Sequence, residues 1–317
     1  MCLIVVAYQV HPEYSTVIAS NRDEFTQRES KGLHVWENEE VVGGKDMQGG
    51  GTWLGMNRYS PERWAAITNY RGIKKKQKEE GDSNYQSRGT IITNYLSSSS
   101  HSNPPLTAME FITKLQQQQQ QEEDSITNNN TNTNLCYNGF HLLVGDTTGI
   151  YYYGNQDCNS KQQQQQQPLP PGIYGLSNDG LDTPWPKVLR SKHLLSSILE
   201  ESTTKCCIKL HKDILKRLLY DRQRPEKDEE LPQTGIPLQY ERYLSSIFID
   251  GNPTYGTRSS TTILLQPPNE NTTTTTTVQT PHCHVSIMET IWPSQQSTLL
   301  QYNHLNGAWS SNSFSQS

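Results

Sequence analysis

The sequence predicts a single α+β domain of strands with helices layered against them, and three observations predict it. Short apolar runs of strand length, closed by glycines or polar clusters, recur along the chain. Helical periodicity appears chiefly in two pairs of segments, which points to packed α and β layers and not to βαβ repeats. Hydrophobic residues make up only 32% of the 317 residues, because tracts of Gln, Asn, Ser and Thr dilute them. The ordered part is therefore shorter than the chain, and one domain over 1–294 is expected.

The elements follow in order. Residues 1–8 form an apolar run rich in β-branched side chains, with Cys2 at its start, and read as a strand buried on both faces. Residues 14–19 are a second apolar run that empties into Asn21-Arg22-Asp23-Glu24. A connection at His11-Pro12-Glu13 makes the two a hairpin, which returns the second strand to the level of the first strand's start. Asn21, Arg22 and Asp23 are thus expected beside Cys2. After a polar stretch at 27–39, residues 41–46 and 49–56 read as short strands punctuated by glycines. The Gly49-Gly50-Gly51 triplet reads as a tight turn against a neighbouring strand, since no Lys-Ser or Lys-Thr follows at phosphate-loop spacing.

Residues 63–72 are a further strand, ending on Asn69 and Arg71. Ile91, Ile92, Tyr95 and Leu96 share one helix face. Thr107 with Glu110 three residues on is a capping box opening a helix through Ala108, Phe111, Ile112 and Leu115. Residues 137–146 and 149–153 form a second hairpin, and 172–180 a strand ending on Asn178. Thr183-Pro184-Trp185-Pro186 starts a helix through Leu199, and Cys207, Leu210, Ile214, Leu215 and Leu218 mark another. A short helix is expected within 240–249, a strand at 255–265 and a last strand at 282–289. Inserts without fixed structure are expected at about 74–86, 116–134, 159–168 and 267–280, and a flexible polar tail at 295–317.

Formal net charge is −5, and the lysine cluster at 74–78 runs straight into Glu79-Glu80, so no nucleic-acid footprint is present. No segment has the apolar length of a membrane span. The six cysteines, with no secretory leader pattern at the start, are expected to be free thiols in a reducing compartment. His282-Cys283-His284 would place two ligands on one strand face with no clear third, a poor zinc site.

The sharpest chemical feature is Cys2. If Met1 is removed, the thiol and a free α-amine share one residue, and an amine of pKa ~7.7–8.0 serves as a built-in base. On position alone, a small apolar residue opening a buried strand is the favoured reading. Asn21-Arg22-Asp23-Glu24 shifts that balance, because Arg22 would lower the thiol pKa and Asp23 would hold the α-ammonium. Asn69, Asn178 and Arg258 each end an apolar run, where strand ends converge. An Asn amide can donate to an oxyanion, and an Arg can grip a carboxylate or carbonyl.

The Cys2 strand, Asn21-Arg22-Asp23-Glu24, the 49–55 glycine turn, Thr68-Asn69-Tyr70-Arg71, 137–140, 172–178, Thr183-Pro184-Trp185-Pro186-Lys187 and 255–259 together resemble the NRDE-motif family, the transport and Golgi organisation protein 2 family. That resemblance implies Golgi organisation and protein secretion. It also implies links to mitochondria, to haem trafficking and to lipid homeostasis, in a cytoplasmic protein with peripheral organelle association. No cofactor is required by this reading, and haem or an acyl-CoA is implied as cargo. A more distant resemblance is to the N-terminal nucleophile hydrolases, nearest in pattern to bile-salt hydrolases and penicillin V acylases. It implies a four-layer αββα sandwich, with Cys2 as nucleophile, Arg22 and Asp23 tuning it, Asn69 and Asn178 at the oxyanion site and Arg258 closing the pocket. In those hydrolases the Arg usually precedes the Asn, with another residue before the Asp, whereas here the order is Asn-Arg-Asp. The first reading is a non-enzymatic trafficking factor, and the alternative is a Cys2-dependent amidase or acyltransferase.

Overall fold

A computed structural model describes residues 2–37, 39–72, 86–97, 105–127, 137–156, 167–202, 206–251, 253–267, 285–303 and 306–315. In chain order the strands are Cys2–Tyr8 (β1), Thr16–Phe25 (β2), Ser30–Val35 (β3), Val41–Asp46 (β4), Leu54–Asn57 (β5), Trp64–Asn69 (β6), Phe140–Asp146 (β7), Gly149–Gly154 (β8), Gly172–Leu176 (β9), Tyr255–Leu265 (β10), Val285–Ile291 (β11), Gln296–Asn303 (β12) and Ala308–Ser315 (β13). The helices are Gly89–Leu96 (α1), Ala108–Thr127 (α2), Pro186–Glu201 (α3), Cys207–Ile214 (α4) and Leu238–Tyr243 (α5). The fold is α+β, with two antiparallel sheets ordered β13-β12-β11-β10-β2-β1-β9 and β3-β4-β5-β6-β7-β8.

Period-two alternation sorts the apolar side chains. Ile4, Val6 and Ile18 pack against Val42, Leu54, Met56 and Leu143 of the second sheet. Leu3, Val5, Val17 and Ala19, one residue out of phase, pack against Val188, Leu195, Ile198, Leu210 and Ile214 of α3 and α4. On the second sheet, Ala65, Ile67, Leu142 and Val144 pack against Ile91, Ile92, Ile112 and Leu115 of α1 and α2. The α2 capping box forms as the sequence predicts: Thr107 N donates to Glu110 Oε2 at 2.8 Å, and Glu110 N to Thr107 Oγ1 at 3.3 Å.

Three expectations are corrected. The glutamines after 115 continue α2, because Gln is a good helix former and the cap has already nucleated the helix. The polar stretch at 27–39 contains β3, pinned by buried Leu33, whose N–H donates to Glu289 Oε2. The tail from 295 is a β-hairpin, β12 and β13, extending the first sheet. Leu299, Leu300 and Tyr302 anchor it as buried residues, and Trp309 Nε1 donates to Arg58 O at 2.8 Å. The outer strand β13 is rich in Ser, which suits an exposed sheet edge. The lysine cluster at 74–78, the threonine tract at 272–277 and His282-Cys283-His284 lie outside the described residues.

Candidate functional site

The β1–β2 register pairs Cys2 with Arg22 directly across the strands. Paired residues share a face, so Cys2 and Arg22 lie on the side facing the second sheet, with Ile4 and Ile18. Asp23 and Asn21 fall on the opposite, helix-covered side. Asn21 is spent there: Nδ2 donates to Leu219 O (2.8 Å) and Ile247 O (2.9 Å), and Oδ1 accepts from Ser260 Oγ (2.6 Å). It locks the strand to the helical layer.

Cys2, Arg22, Asp23 and Asn69 line one cleft of about 470 Å³, with Trp53 and Arg88 among the other walls. The buried Arg22 guanidinium lies 4.5 Å from the centre of the Trp53 ring and donates through Nη2 to Asp46 Oδ2 at 3.2 Å. Arg28 Nε shares that oxygen at 2.7 Å. Burial would raise the Asp46 carboxyl, but the Gly49 N–H, Arg28 and Arg22 outweigh it and hold it below the ordinary value. The Gly49-Gly50-Gly51 turn forms this wall. Gly50 has φ +74°, and a Cβ on Gly51 would sit 2.2 Å from the backbone carbon of Gly89. The triplet is therefore a tight turn, and what it abuts is the start of α1, not a strand.

Burial pushes the Cys2 thiol above its ordinary pKa; Asp23 adds to this, while Arg22 and the Asp23 N–H donated to the sulfur act against it. The Arg22 effect expected from sequence is present but does not win.

The two asparagines have different fates. Asn69 lines the cleft, and its side chain makes no hydrogen bond among the described residues. Asn178 is fully buried, and its Nδ2 donates to Asn69 O at 2.7 Å. Next to it, Ser177 Oγ donates to Cys2 O at 3.3 Å. Asn178 is thus a brace behind the site, with its amide already committed.

Arg258 does not close the Cys2 cleft. The β2–β10 register shifts between Thr257, opposite Asp23, and Ser259, opposite Arg22, so Arg258 is the extra residue of a bulge. The bulge turns it away, and Nη1 donates to Thr26 O at 2.6 Å in a separate cleft.

Sequence reasoning assigned no role to Lys187, and the structure buries it where its charge acts on Asp23 and Cys2. It sits in the first turn of α3, buried, with Nζ donating to Leu244 O at 3.2 Å. Burial lowers its pKa to about 8, opposed by the charges of Asp23 and Cys2 and reinforced by Arg71. Asp23 is itself raised by burial, with Lys187 acting to lower it, and its Oδ1 accepts from Thr257 Oγ1 at 2.7 Å. Tyr255 Oη donates to Asp23 O at 3.0 Å, and Arg71 pairs with the buried Glu241 at 3.0 Å. A cation in the first turn of a helix opposes the helix dipole. Lys187 directly after Pro186 was therefore a legible signal of a buried anion nearby.

Among the described residues no cluster has a metal-binding set of His, Cys, Asp and Glu, and no helix is long and apolar enough to cross a membrane. Cys2, Cys206 and Cys207 are free thiols.

A family model described as Transport and Golgi organisation 2 matches residues 1–280. The mouse protein named Transport and Golgi organization 2 homolog is 30% identical over 280 residues, covering 82% of this chain and 87% of the relative. The human protein named Transport and Golgi organization protein 2 homolog has the same identity and coverage, and its bovine counterpart is 29% identical. The match takes in the Cys2 hairpin, the glycine turn, Asn69, Lys187 and the Arg258 bulge, and this chain belongs to the Transport and Golgi organisation 2 family.

Proposed function

We propose that this protein serves Golgi organisation and secretion, the role its relatives' names state for them, and that its cleft acts on an acyl compound through Cys2. The observation that carries this is that Cys2, Arg22 and Asn69 line one cleft, and that the Asn69 amide makes no hydrogen bond among the described residues. In this reading Cys2 Sγ attacks an acyl carbonyl, and the Asn69 amide donates to the oxygen that becomes negative. The C–N or thioester bond then breaks, the leaving group takes the proton released by the thiol, and water frees the acyl group. Where Cys2 is the first residue of the mature chain, its α-amine carries that proton. Lys187, whose charge acts on both Asp23 and Cys2, sets the local field. The three apolar clusters support reading the layers as the αββα stack of N-terminal nucleophile hydrolases.

A second reading is carriage without turnover, with an acyl-CoA, haem or another lipid-like ligand as cargo. The raised pKa of Cys2 favours it, because a neutral thiol is a weak nucleophile. One experiment separates the two. Purified protein and Cys2→Ser are incubated with acyl-amide and acyl-thioester panels, and acyl release and the mass of the Cys2 peptide are followed. Release and transient acylation lost in Cys2→Ser, with unchanged melting, support acyl transfer. Equal binding of acyl-CoA or haem by both proteins, with no release by either, leaves carriage.

A further inference from the structure

A second cleft, also about 470 Å³, adjoins the first across the end of β2: Phe25 lines the Cys2 cleft and Thr26 the other. Its wall is aromatic. Tyr220 and Trp292 stack at 4.9 Å, and Phe248 meets both edge-on at 4.8 and 5.0 Å. Two cations line it. Arg222 packs 3.9 Å from the Tyr220 ring centre and is neutralised by Asp250 at 2.6 Å. Arg258 is different. Among the described residues its guanidinium donates to the Thr26 and Phe25 carbonyls, at 2.6 and 3.5 Å, and has no carboxylate partner. A bulge in the β2–β10 ladder is what delivers it there, and Trp292 N closes the turn on Arg258 O at 2.9 Å. Among the described residues, the cleft therefore holds one cation with no carboxylate partner beside a flat aromatic wall, in a volume suited to a small molecule.

We propose that this cleft binds a small anion carrying a planar ring, the anionic group meeting Arg258 and the ring lying against Trp292. A nucleoside phosphate and an aromatic carboxylate both have this chemistry. The site is separate from the Cys2 thiol, and its occupancy does not depend on any turnover there. Because Arg258 holds the carbonyls of Phe25 and Thr26, an occupant of the second cleft would act on the strand end that borders the first.

Isothermal titration of the full chain with ADP, 2-naphthoate and uncharged adenosine tests this. Sub-millimolar binding of ADP or 2-naphthoate is expected, with adenosine weaker by about tenfold or more, as for the loss of a charge-assisted contact. ADP alone identifies a phosphate ligand, and 2-naphthoate alone a carboxylate. Two variants remove the site differently. Arg258→Gln deletes the charge. Gly251→Trp fills the cleft from a lining position where an added Cβ meets nothing closer than 3.9 Å. Both should weaken the bound probe by about tenfold or more. A purely structural Arg258, strapping the end of β2, predicts instead a lower melting temperature and no binding to lose. Absence of binding by both charged probes, or binding that persists in either variant, overturns the proposal.

Discussion

Replacing Lys187 with methionine should destabilise the fold by about 3–5 kcal/mol, and adding Asp23→Asn should recover most of that loss. Lys187 is buried among Asp23, Cys2, Arg71 and Glu241, and burial is the main cause of its fall from 10.5 to about 8. At about 1.4 kcal/mol per pH unit, the charged lysine is disfavoured in the fold by about 3 kcal/mol relative to the unfolded chain. Methionine removes that penalty but also the Lys187 charge that acts to lower the Asp23 carboxyl, already raised by burial. Asp23 then holds its charge in the fold at a higher cost or takes up a proton at neutral pH, and either is destabilising. The double variant carries neither charge, and the carboxamide oxygen that Asp23→Asn introduces can still accept from Thr257 Oγ1. The sign of the pH dependence is fixed. Below pH 8 both states carry charged lysine and the penalty is complete. Between 8 and 10.5 the fold has released the proton that the unfolded chain keeps, so this group's contribution rises with pH, and above 10.5 the penalty is gone. Urea unfolding by near-UV circular dichroism at about pH 7 and about pH 9.5 reads both effects, as a difference between wild type and the double variant. A Lys187→Met protein as stable at neutral pH as the double variant would show that Asp23 and Lys187 do not act as a pair.

Two further outcomes are expected. His211, between Thr262 Oγ1 and Ser286 Oγ, and His141, against Tyr152 Oη, are held by burial at about 3 and about 4. Both stay neutral in the fold while the unfolded chain charges below 6.5, so their stability is complete above 6.5 and lost as pH falls. His211 alone should remove about 5 kcal/mol by about pH 3 and His141 about 3 kcal/mol by about pH 4; an acid titration of His211→Gln that runs parallel to wild type contradicts this. Gly51→Ala should cost about 3 kcal/mol, at the upper end of overpacking, because its Cβ meets the Gly89 backbone and no flexible side chain can yield; a thermal melt within a degree of wild type refutes the close approach.

Much of the site was legible from the chain because strand geometry is short-range. A hairpin turning at His11-Pro12-Glu13 must bring residues near 22 beside residue 2, and the structure pairs Cys2 with Arg22. The capping box at Thr107 and Glu110 was equally local. The expectations for the polyglutamine run and the tail failed on composition. Low complexity does not prevent Gln from extending a capped helix, and a few apolar residues, Leu299, Leu300 and Tyr302, suffice to fix a polar strand on an existing sheet edge. The sequence by itself determined the mixed α+β class, the opening hairpin and the pairing of Cys2 with Arg22. Only the tertiary structure decided that the buried Lys187 charge acts on Asp23, that Asn178 is a brace and that Arg258 serves another cleft. Those outcomes depend on a bulge in β10 and on the docking of α3 against β1, at the far end of the chain, and residue order alone encodes neither.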